Sequence, residues 1–518
     1  MPGAEPGRGG LGPALLVTGL SLAVYLLTLA PGLTFEHWGA DSGDLSTAAY
    51  TLGVPHPTGY PTYILLAWLF SHIPVGTVAY RVNLLSAVCA AAAAGLLCRT
   101  AEALLPAQGR RWPLAAATAL TFAFSSLLWS QAVIGEVYAL LSLFAALLLW
   151  LLVRWQQGGS DRLLWAAALL FGLGLGNHLT LAFLAPAVPI LLWPERRRWL
   201  RPSLLVPAAG LFILGLSIYA YLPLAAAHRP PVNWGNPQTW RQFLWVVTGR
   251  QYQPFVFGLP AEQIWTRLGS WALLLGDQFG WWGLAIALAG VAWARQRRRR
   301  FLLFALTWSL PLAVYAFFYY TSDSYIYLLP AVMLLALGWG AGGCYLLHLA
   351  RRWRPARQRM ALAALLLLPL ASLALHWQAA DLSDDRAAQL YSQQVLEAVA
   401  PNSLVVVRGD RATFALWYAV YVENQRPDLA VVNGPMLAFI WYRQQIRHLY
   451  PDLILNEPTA ADVTTDDLVR DLMAVNSTRR PVYATDPGDS WGEWFDFVQV
   501  GEAPVFRVQV KSRWETGG

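Results

Sequence analysis

Two carboxylates three residues apart stand in Gly39-Ala-Asp41-Ser-Gly-Asp44-Leu, directly after a first apolar run. On a glycine-containing segment both can turn toward one cleft. A carboxylate in a partly desolvated cleft gains basicity and suits general-base work on a hydroxyl. The same spacing also fits Asp41 as the cap of a short helix beginning at Ser42, with Asp44 solvated. Further on, His56-Pro-Thr-Gly-Tyr60-Pro61 places two prolines and a glycine within six residues, which makes a rigid turn. On that turn His56 either donates to a phosphate or stops a helix with its ring satisfied by backbone.

Other polar residues interrupt apolar sequence. Glu136, in Gln131-Ala-Val-Ile-Gly-Glu136-Val-Tyr138, opens a long apolar run where a helix dipole favours an acid. Asn177-His178 lies inside another run; polar groups at membrane depth are costly and mark function or an interhelical hydrogen bond. Asp323, between Ser322 and Ser324, has a plain loop explanation. Arg229, Arg241, Arg250 and Arg267 are cations able to hold an anion such as a lipid-linked phosphate. Nucleophile elbows, zincin helices, G-x-G-x-x-G and P-loop patterns are absent. Cys89, Cys98 and Cys344 all lie in apolar runs without metal-type spacing, which excludes a disulfide framework or zinc site.

The elements that must carry these residues follow from composition. Of 518 residues, 56% are hydrophobic and 13% charged, about half the roughly 25% charge of a soluble domain. A single soluble enzyme is excluded, and the chain reads as a polytopic α-helical membrane protein. The net charge of +7 comes from short basic clusters between apolar runs rather than a stripe on a soluble segment, so nucleic acid is not a partner. Apolar runs begin near Ala14, Val82, Pro113, Val137, Leu163, Leu179, Pro202, Trp271, Phe301, Ile326 and Met360, giving about 11 spans, with Leu163 to Trp193 either two short spans or one kinked pair around Asn177-His178. The run from Ala14 to Ala30 ends at Pro31 without a small-residue cleavage pattern and reads as an uncleaved first helix.

Arginine-rich connections recur at Arg99/Arg110/Arg111, Arg154/Arg162, Arg196 to Arg201, Arg295 to Arg300 and Arg351 to Arg359, at every second connection. An arginine at the bilayer centre costs about 2.5–3.5 kcal/mol, so these clusters place the N-terminus in the cytoplasm. Thr34 to Arg81, Pro223 to Gly269 and Thr321 to Tyr325 then lie outside. Within the first, Tyr63 to Ile73 is too short to span and reads as an interfacial helix.

From Gln378 onward the composition is that of a soluble domain on the outer face. Ser403 to Arg408, Asp428 to Asn433, Leu453 to Asn456 and Pro481 to Thr485 read as strands, with a hairpin over Phe497 to Val510. Ala412 to Glu423, Leu437 to Leu449 and a segment capped at Thr464 read as helices between them, after an entry helix in Asp381 to Ala400. Residues 1–377 thus form a membrane domain, and 378–518 a small extracytoplasmic α/β domain.

The order of these motifs resembles the GT-C glycosyltransferases, membrane enzymes that use polyprenyl-phosphate-linked sugars. Within them it is similar to the branch formerly known as a domain of unknown function (glycosyltransferase family 117-like), which includes animal transmembrane O-mannosyltransferases. The resemblance runs through Gly39 to Asp44, His56 to Pro61, Arg81-Val-Asn83, Glu136-Val-Tyr138 and Asn177-His178. It continues in Gly409-Asp-Arg-Ala-Thr-Phe-Ala-Leu-Trp-Tyr418, Arg426-Pro-Asp428 and Trp441-Tyr-Arg443. It implies a hexose, mannose or similar, moved with inversion from a polyprenyl-phosphate carrier to a hydroxyl of an acceptor protein or glycan.

Asp41 matches the family's first-loop acid and would act as base, with Asp44 where the branch commonly has Glu. His56, Tyr60, Arg81, Glu136, Tyr138, Asn177, His178 and Arg250 would contact substrates. Thr58 stands where the branch often has Pro, and without a D-x-D pair no metal or other cofactor is implied. The competing class is a polytopic transporter or lipid-linked-sugar flippase, which would show internal repeats and mid-span acids.

Overall fold

The computed structural model describes residues 11–106, 112–351, 354–457, 463–488 and 490–511. The arginines expected at 110, 111 and 352 lie outside the described residues. Among the described residues, seven helices are long and apolar enough to cross a bilayer: Val78–Leu104, Val137–Gln156, Pro202–Ala227, Ala261–Arg297, Arg299–Phe318, Ser324–Ala350 and Pro355–Ala380. The pair Trp112–Ala123 and Ser126–Ala132 is apolar and long enough only when taken together, and is bent by 67°, as a broken span or a re-entrant loop would be.

Three of the expected eleven spans are not long helices. Gly12–Leu27 and Arg162–Leu175 are shorter apolar helices. The run from Leu179 breaks into a 3-10 turn, Leu179–Leu184, and one short helix, Val188–Leu192. Pro186, Pro189 and Pro194 withhold the backbone donors a continuous helix needs there. The interfacial segment does form a helix, Pro61–Ser71, about 16 Å long at 1.5 Å per residue and too short to cross.

Val78–Leu104, Val137–Gln156 and Ser324–Ala350 form the centre, each with 72% of its apolar window buried, against 17% to 28% for the other four. Leucines of the outer helices, such as Leu214, Leu273 and Leu367, are therefore exposed, as a lipid-facing surface requires. Small residues let backbones meet: a Cβ on Gly290 would lie 1.9 Å from the Gly338 carbonyl oxygen.

The helix Pro355–Ala380 runs three residues past position 377. Beyond it a five-stranded sheet forms in the order β2-β1-β3-β5-β4. The strands are β1 (Leu404–Val407), β2 (Ala430–Asn433), β3 (Val482–Ala484), β4 (Phe495–Gln499) and β5 (Phe506–Val510). β1 runs parallel to β2 and β3, with Val405 opposite Val431 and Tyr483, and β4–β5 is the expected hairpin. The helix expected at Thr464 begins with a capping box and spans Thr465–Ser477.

Leu453 to Asn456 is not a strand. The Ile454 N–H donates to Asn476 Oδ1, and Asn476 Nδ2 donates back to the Ile454 carbonyl, so a side-chain amide replaces a neighbouring strand.

Candidate active site

Asp41 ends a 3-10 turn, Glu36–Asp41, and the helix Ser42–Thr51 follows directly. Although Asp41 stands at the N-cap position, its side chain makes no capping hydrogen bond; its carboxylate, 40% exposed, lines a cavity. Asp44, in the first helical turn, is fully buried behind it. Three groups meet the Asp44 carboxylate: the His56 backbone N–H at 2.9 Å, His56 Nδ1 at 2.8 Å and the Trp234 indole N–H at 3.0 Å. His56 Nε2 is left 3.7 Å from Asp41 Oδ2, beyond hydrogen-bond range and open to a third group.

The two connections that carry this trio are tied together locally. Val54 N–H donates to the Val232 carbonyl and Trp234 N–H to the Val54 carbonyl, at 2.9 and 3.0 Å. That short bridge sets His56 and Trp234 on either side of Asp44. The His56 turn closes with Gly59 N–H on the His56 carbonyl at 3.0 Å. Gly59 takes φ +83, and a Cβ there would meet Leu222 at 2.9 Å, so the turn requires glycine.

Although its side chain meets the cavity, the surrounding walls desolvate the Asp41 carboxyl and raise it to about 7, with Asp410 and Asp44 adding repulsion, while His56 pulls the other way. Burial lowers the His56 ring, but Asp41 and the hydrogen-bonded Asp44 reverse this and bring it to about 9. Between those values a carboxylate faces an imidazolium held from behind.

The cavity measures about 590 Å³. Asp41, His56 and Tyr60 come from the first outer connection, and Trp234 and the Thr248–Val256 region from the second. Asp323 comes from the third, while Tyr138 and His178 come from the bundle. The C-terminal unit closes the wall with Asp410 and Phe414, and burial raises the Asp410 carboxyl. A tyrosine bank of Tyr252, Tyr315, Tyr319 and Tyr327 completes it. The three connections expected on one face and the α/β unit therefore meet at one end of the bundle.

His178 packs between Tyr138 and Tyr327, at 5.4 and 5.3 Å. Its Nδ1 accepts from Thr180 N–H and lies 2.7 Å from Thr180 Oγ1, which leaves Nε2 as the protonated donor on a neutral ring.

Five expected contacts do not line the cavity. Besides Asp44, Glu136 caps Val137–Gln156 by accepting from Val137 N–H at 3.2 Å, with its other oxygen unpartnered. Asn177, fully buried, donates to the Val137 carbonyl and ties two helices. Arg81 donates to the carbonyls of Val75, Ser71 and Gly76 and shapes the bend before its own helix. Arg250 is exposed at the start of the 3-10 turn whose next residues enter the wall. Arg267 is likewise held, by the carbonyls of Phe317, Tyr319 and Thr321. Among the described residues no lysine or arginine lines the cavity, and no group of three His, Cys, Asp or Glu converges to hold a metal.

Sequence reasoning missed Trp234, Asp410, Tyr252 and the tyrosine bank, and read Asp323 as plain loop. Asp410 lay within a quoted motif, which was the one available signal.

The fold matches that of ArnT from Cupriavidus metallidurans, solved bound to undecaprenyl phosphate. The TM-score is 0.61 at 12% identity, covering 97% of this chain and 99% of that one. The apo form of ArnT gives a TM-score of 0.56 at 12% identity, covering 96% and 97% of the two chains. The molecule is thus a multi-pass helical membrane protein of the GT-C fold, with a cavity between its connections and a C-terminal α/β unit.

Residues 41–200 match the protein O-mannosyl-transferase TMEM260 N-terminal domain, and residues 388–453 match TMEM260-associated domain 2. Two segments of the chain thus match TMEM260 family domains. It is 30% identical over 475 residues to protein O-mannosyl-transferase TMEM260 of Mus musculus, covering 86% of this chain and 66% of that protein. The Dictyostelium discoideum relative, also called a protein O-mannosyl-transferase, is 23% identical over 518 residues, covering 89% and 62%. The chain therefore spans slightly under two thirds of the length of these curated relatives.

Proposed function

We propose that the chain is an inverting glycosyltransferase that moves mannose or a similar hexose from a polyprenyl-phosphate carrier to an acceptor hydroxyl, on protein or glycan. Its reaction centre would open on the outer face, with the N-terminus cytoplasmic and residues 378–518 covering the cavity that residues 1–377 build. The observation that carries this reading is the Asp41 carboxylate, uncapped and cavity-facing beside His56.

In the reaction the acceptor oxygen attacks the anomeric carbon while Asp41 takes its proton. The bond from that carbon to the phosphate oxygen breaks on the opposite face, and the phosphate leaves with the electron pair. A phosphate leaving group needs little protonation, so one base and one charge-stabilising donor suffice. With no arginine or lysine in the wall among the described residues, His56 Nε2 is the cationic donor placed for that charge. His178 Nε2 and the tyrosine hydroxyls supply neutral donors for sugar oxygens.

Support also comes from the names of the TMEM260 relatives and from the lipid phosphate bound to the ArnT neighbour. A flippase would carry its ionisable residues at mid-span, whereas Asp41, Asp44, His56 and Asp410 all gather at one end. The test is release of free carrier phosphate by purified protein from a panel of polyprenyl-phosphate hexoses, each with a peptide acceptor. Wild type should consume at least one donor and Asp41→Asn none; equal consumption by both removes the mechanism.

A further inference from the structure

The C-terminal unit enters the cavity through one helix, Asp410–Tyr421, whose Asp410 and Phe414 stand one turn apart on the same face. Phe414 packs on Trp234 with the rings 6.3 Å apart, and Trp234 in turn holds Asp44. This face therefore lies against the acid pair. The charge of Asp410 acts on Asp41 more strongly than that of Asp44 does, although Asp44 is only three residues away in the chain.

An acid in a first helical turn has a plain reading, which is to meet the helix dipole. A side chain pointing to open solvent would do that equally well. Asp410 instead lines the cavity, is exposed there, and makes no hydrogen bond or ion pair among the described residues. The flanking arginines are engaged elsewhere: Arg408 lies 5.7 Å over the Trp491 ring and Arg411 5.6 Å over the Phe35 ring. The surrounding walls desolvate Asp410 and raise its carboxyl. An accessible acid left unpaired beside two others is unfavourable until a positive group joins it.

The charge of the whole cavity leads to the same group. The Asp41 carboxylate and the His56 imidazolium cancel, whereas Asp323 and Asp410 have no lysine or arginine in the described lining. Asp44 adds a further acid behind the wall. In the proposed reaction the hexose is neutral and the carrier phosphate negative. Of the two substrates, only the acceptor can therefore bring a compensating cation. A chain whose hydroxyl reaches Asp41 carries its neighbouring residues into the cavity that Asp410 lines.

We propose that Asp410 is the acceptor-binding residue of this cavity, pairing with a lysine or arginine that flanks the acceptor hydroxyl, so that the substrate class is a basic segment of an acceptor protein. The inference rests on the reading of Asp41 as the point of transfer.

The test uses the full chain in nanodiscs of phosphatidylcholine, a neutral lipid, without carrier. Fluorescent Gly-Lys-Thr-Lys-Gly and Gly-Glu-Thr-Glu-Gly peptides report binding by anisotropy. Wild type should bind the lysine peptide at least fivefold more tightly than the glutamate peptide. Asp410→Asn should abolish that preference at an unchanged melting temperature. Asp410→Lys should invert it, an outcome that a merely structural acid would not give. Asp452→Asn, at an exposed acid of the same unit outside the cavity, should keep it. With carrier present, Asp410→Asn should raise the KM for the lysine peptide at least fivefold and leave kcat within threefold.

A wild-type ratio under fivefold, or a preference that survives in Asp410→Asn, overturns the assignment. So does a fall in kcat at unchanged KM. Peptide binding reads no turnover, so its failure leaves the transfer reaction standing. Failure of carrier release likewise leaves the charge preference readable.

Discussion

The indole N–H of Trp234 donates to Oδ1 of Asp44 across 3.0 Å, joining residues 190 positions apart in the chain. This bond lets one connection brace the candidate acid of another, because the second oxygen of Asp44 holds His56, which in turn faces Asp41. Trp234→Phe keeps the ring and removes the donor, leaving a buried carboxylate oxygen unsatisfied. Hydrogen bonds to charged groups contribute about 1.5–3 kcal/mol. Thermal unfolding in detergent should shift downward, and carrier release should slow by about tenfold or more on that scale. An unchanged rate would show that Asp44 does not need this brace.

Asp41→Asn tests the base itself. General-base catalysis contributes roughly 10²–10⁴-fold, so transfer should fall by that range while carrier binding persists. The same substitution removes the strongest upward influence on His56, so the His56 ring, followed by NMR, should titrate at a lower pH in the variant. A rate within threefold of wild type would exclude Asp41 as the proton acceptor.

The pH dependence follows from the same pair. Asp41 must be ionised to accept a proton, so activity should rise with pH through about 7. His56 must be protonated to stabilise the leaving phosphate, so activity should fall again through about 9. A bell-shaped profile of carrier release is expected, its limbs belonging to the interacting pair rather than to either group alone. Stability has its own sign. Both folded values lie above the ordinary ones of 3.8 and 6.5, so both groups contribute stability that is present at low pH and declines with rising pH. For Asp41 the decline falls between about 4 and 7, and for His56 between about 6.5 and 9. A chemical-denaturation series across those windows should show falling stability, and a rise would contradict the assignment.

Arg81 separates a reading made from motif order from one made from geometry. As a substrate contact it would set carrier affinity; in the structure its guanidinium donates to three carbonyls of the bend between Ser71 and Gly76. Arg81→Gln should therefore lower the melting temperature, as loss of three charge-assisted bonds does, and leave the KM for the carrier within about twofold. A large rise in KM with normal stability would restore the substrate role.

The helical membrane fold was legible because apolar length is a local property of the chain. The acid pair was legible because residue type and separation suffice to nominate it. Whether Asp41 caps a helix or faces a cavity was not, since both readings use the same four residues, and only the absent capping bond decides between them. Trp234 and Asp410 reach the site through pairings across hundreds of residues, which no spacing rule encodes. The run from Leu179 misled for a different reason: its mean hydropathy suits a span, but its three prolines break the helix that hydropathy presupposes.

Gly43 lies between the two acids, and its missing side chain decides how the C-terminal unit meets them. A Cβ there would lie 2.6 Å from the Phe414 carbonyl oxygen and 2.7 Å from its carbonyl carbon. The helix Ser42–Thr51 thus packs directly on the backbone of Asp410–Tyr421, whose Asp410 and Phe414 wall the cavity. Because the obstruction is backbone, it cannot rotate aside, and Gly43→Ala must push the two helices apart. Overpacking of this kind costs typically 1–3 kcal/mol, and the displaced wall would carry Asp410 away from Asp41. Both melting temperature and carrier release should fall in Gly43→Ala. Adding Phe414→Ala should restore neither, since trimming that side chain leaves its carbonyl in place. Rescue by the double variant would show that the contact is made by side chains and that the α/β unit can shift without cost to the site.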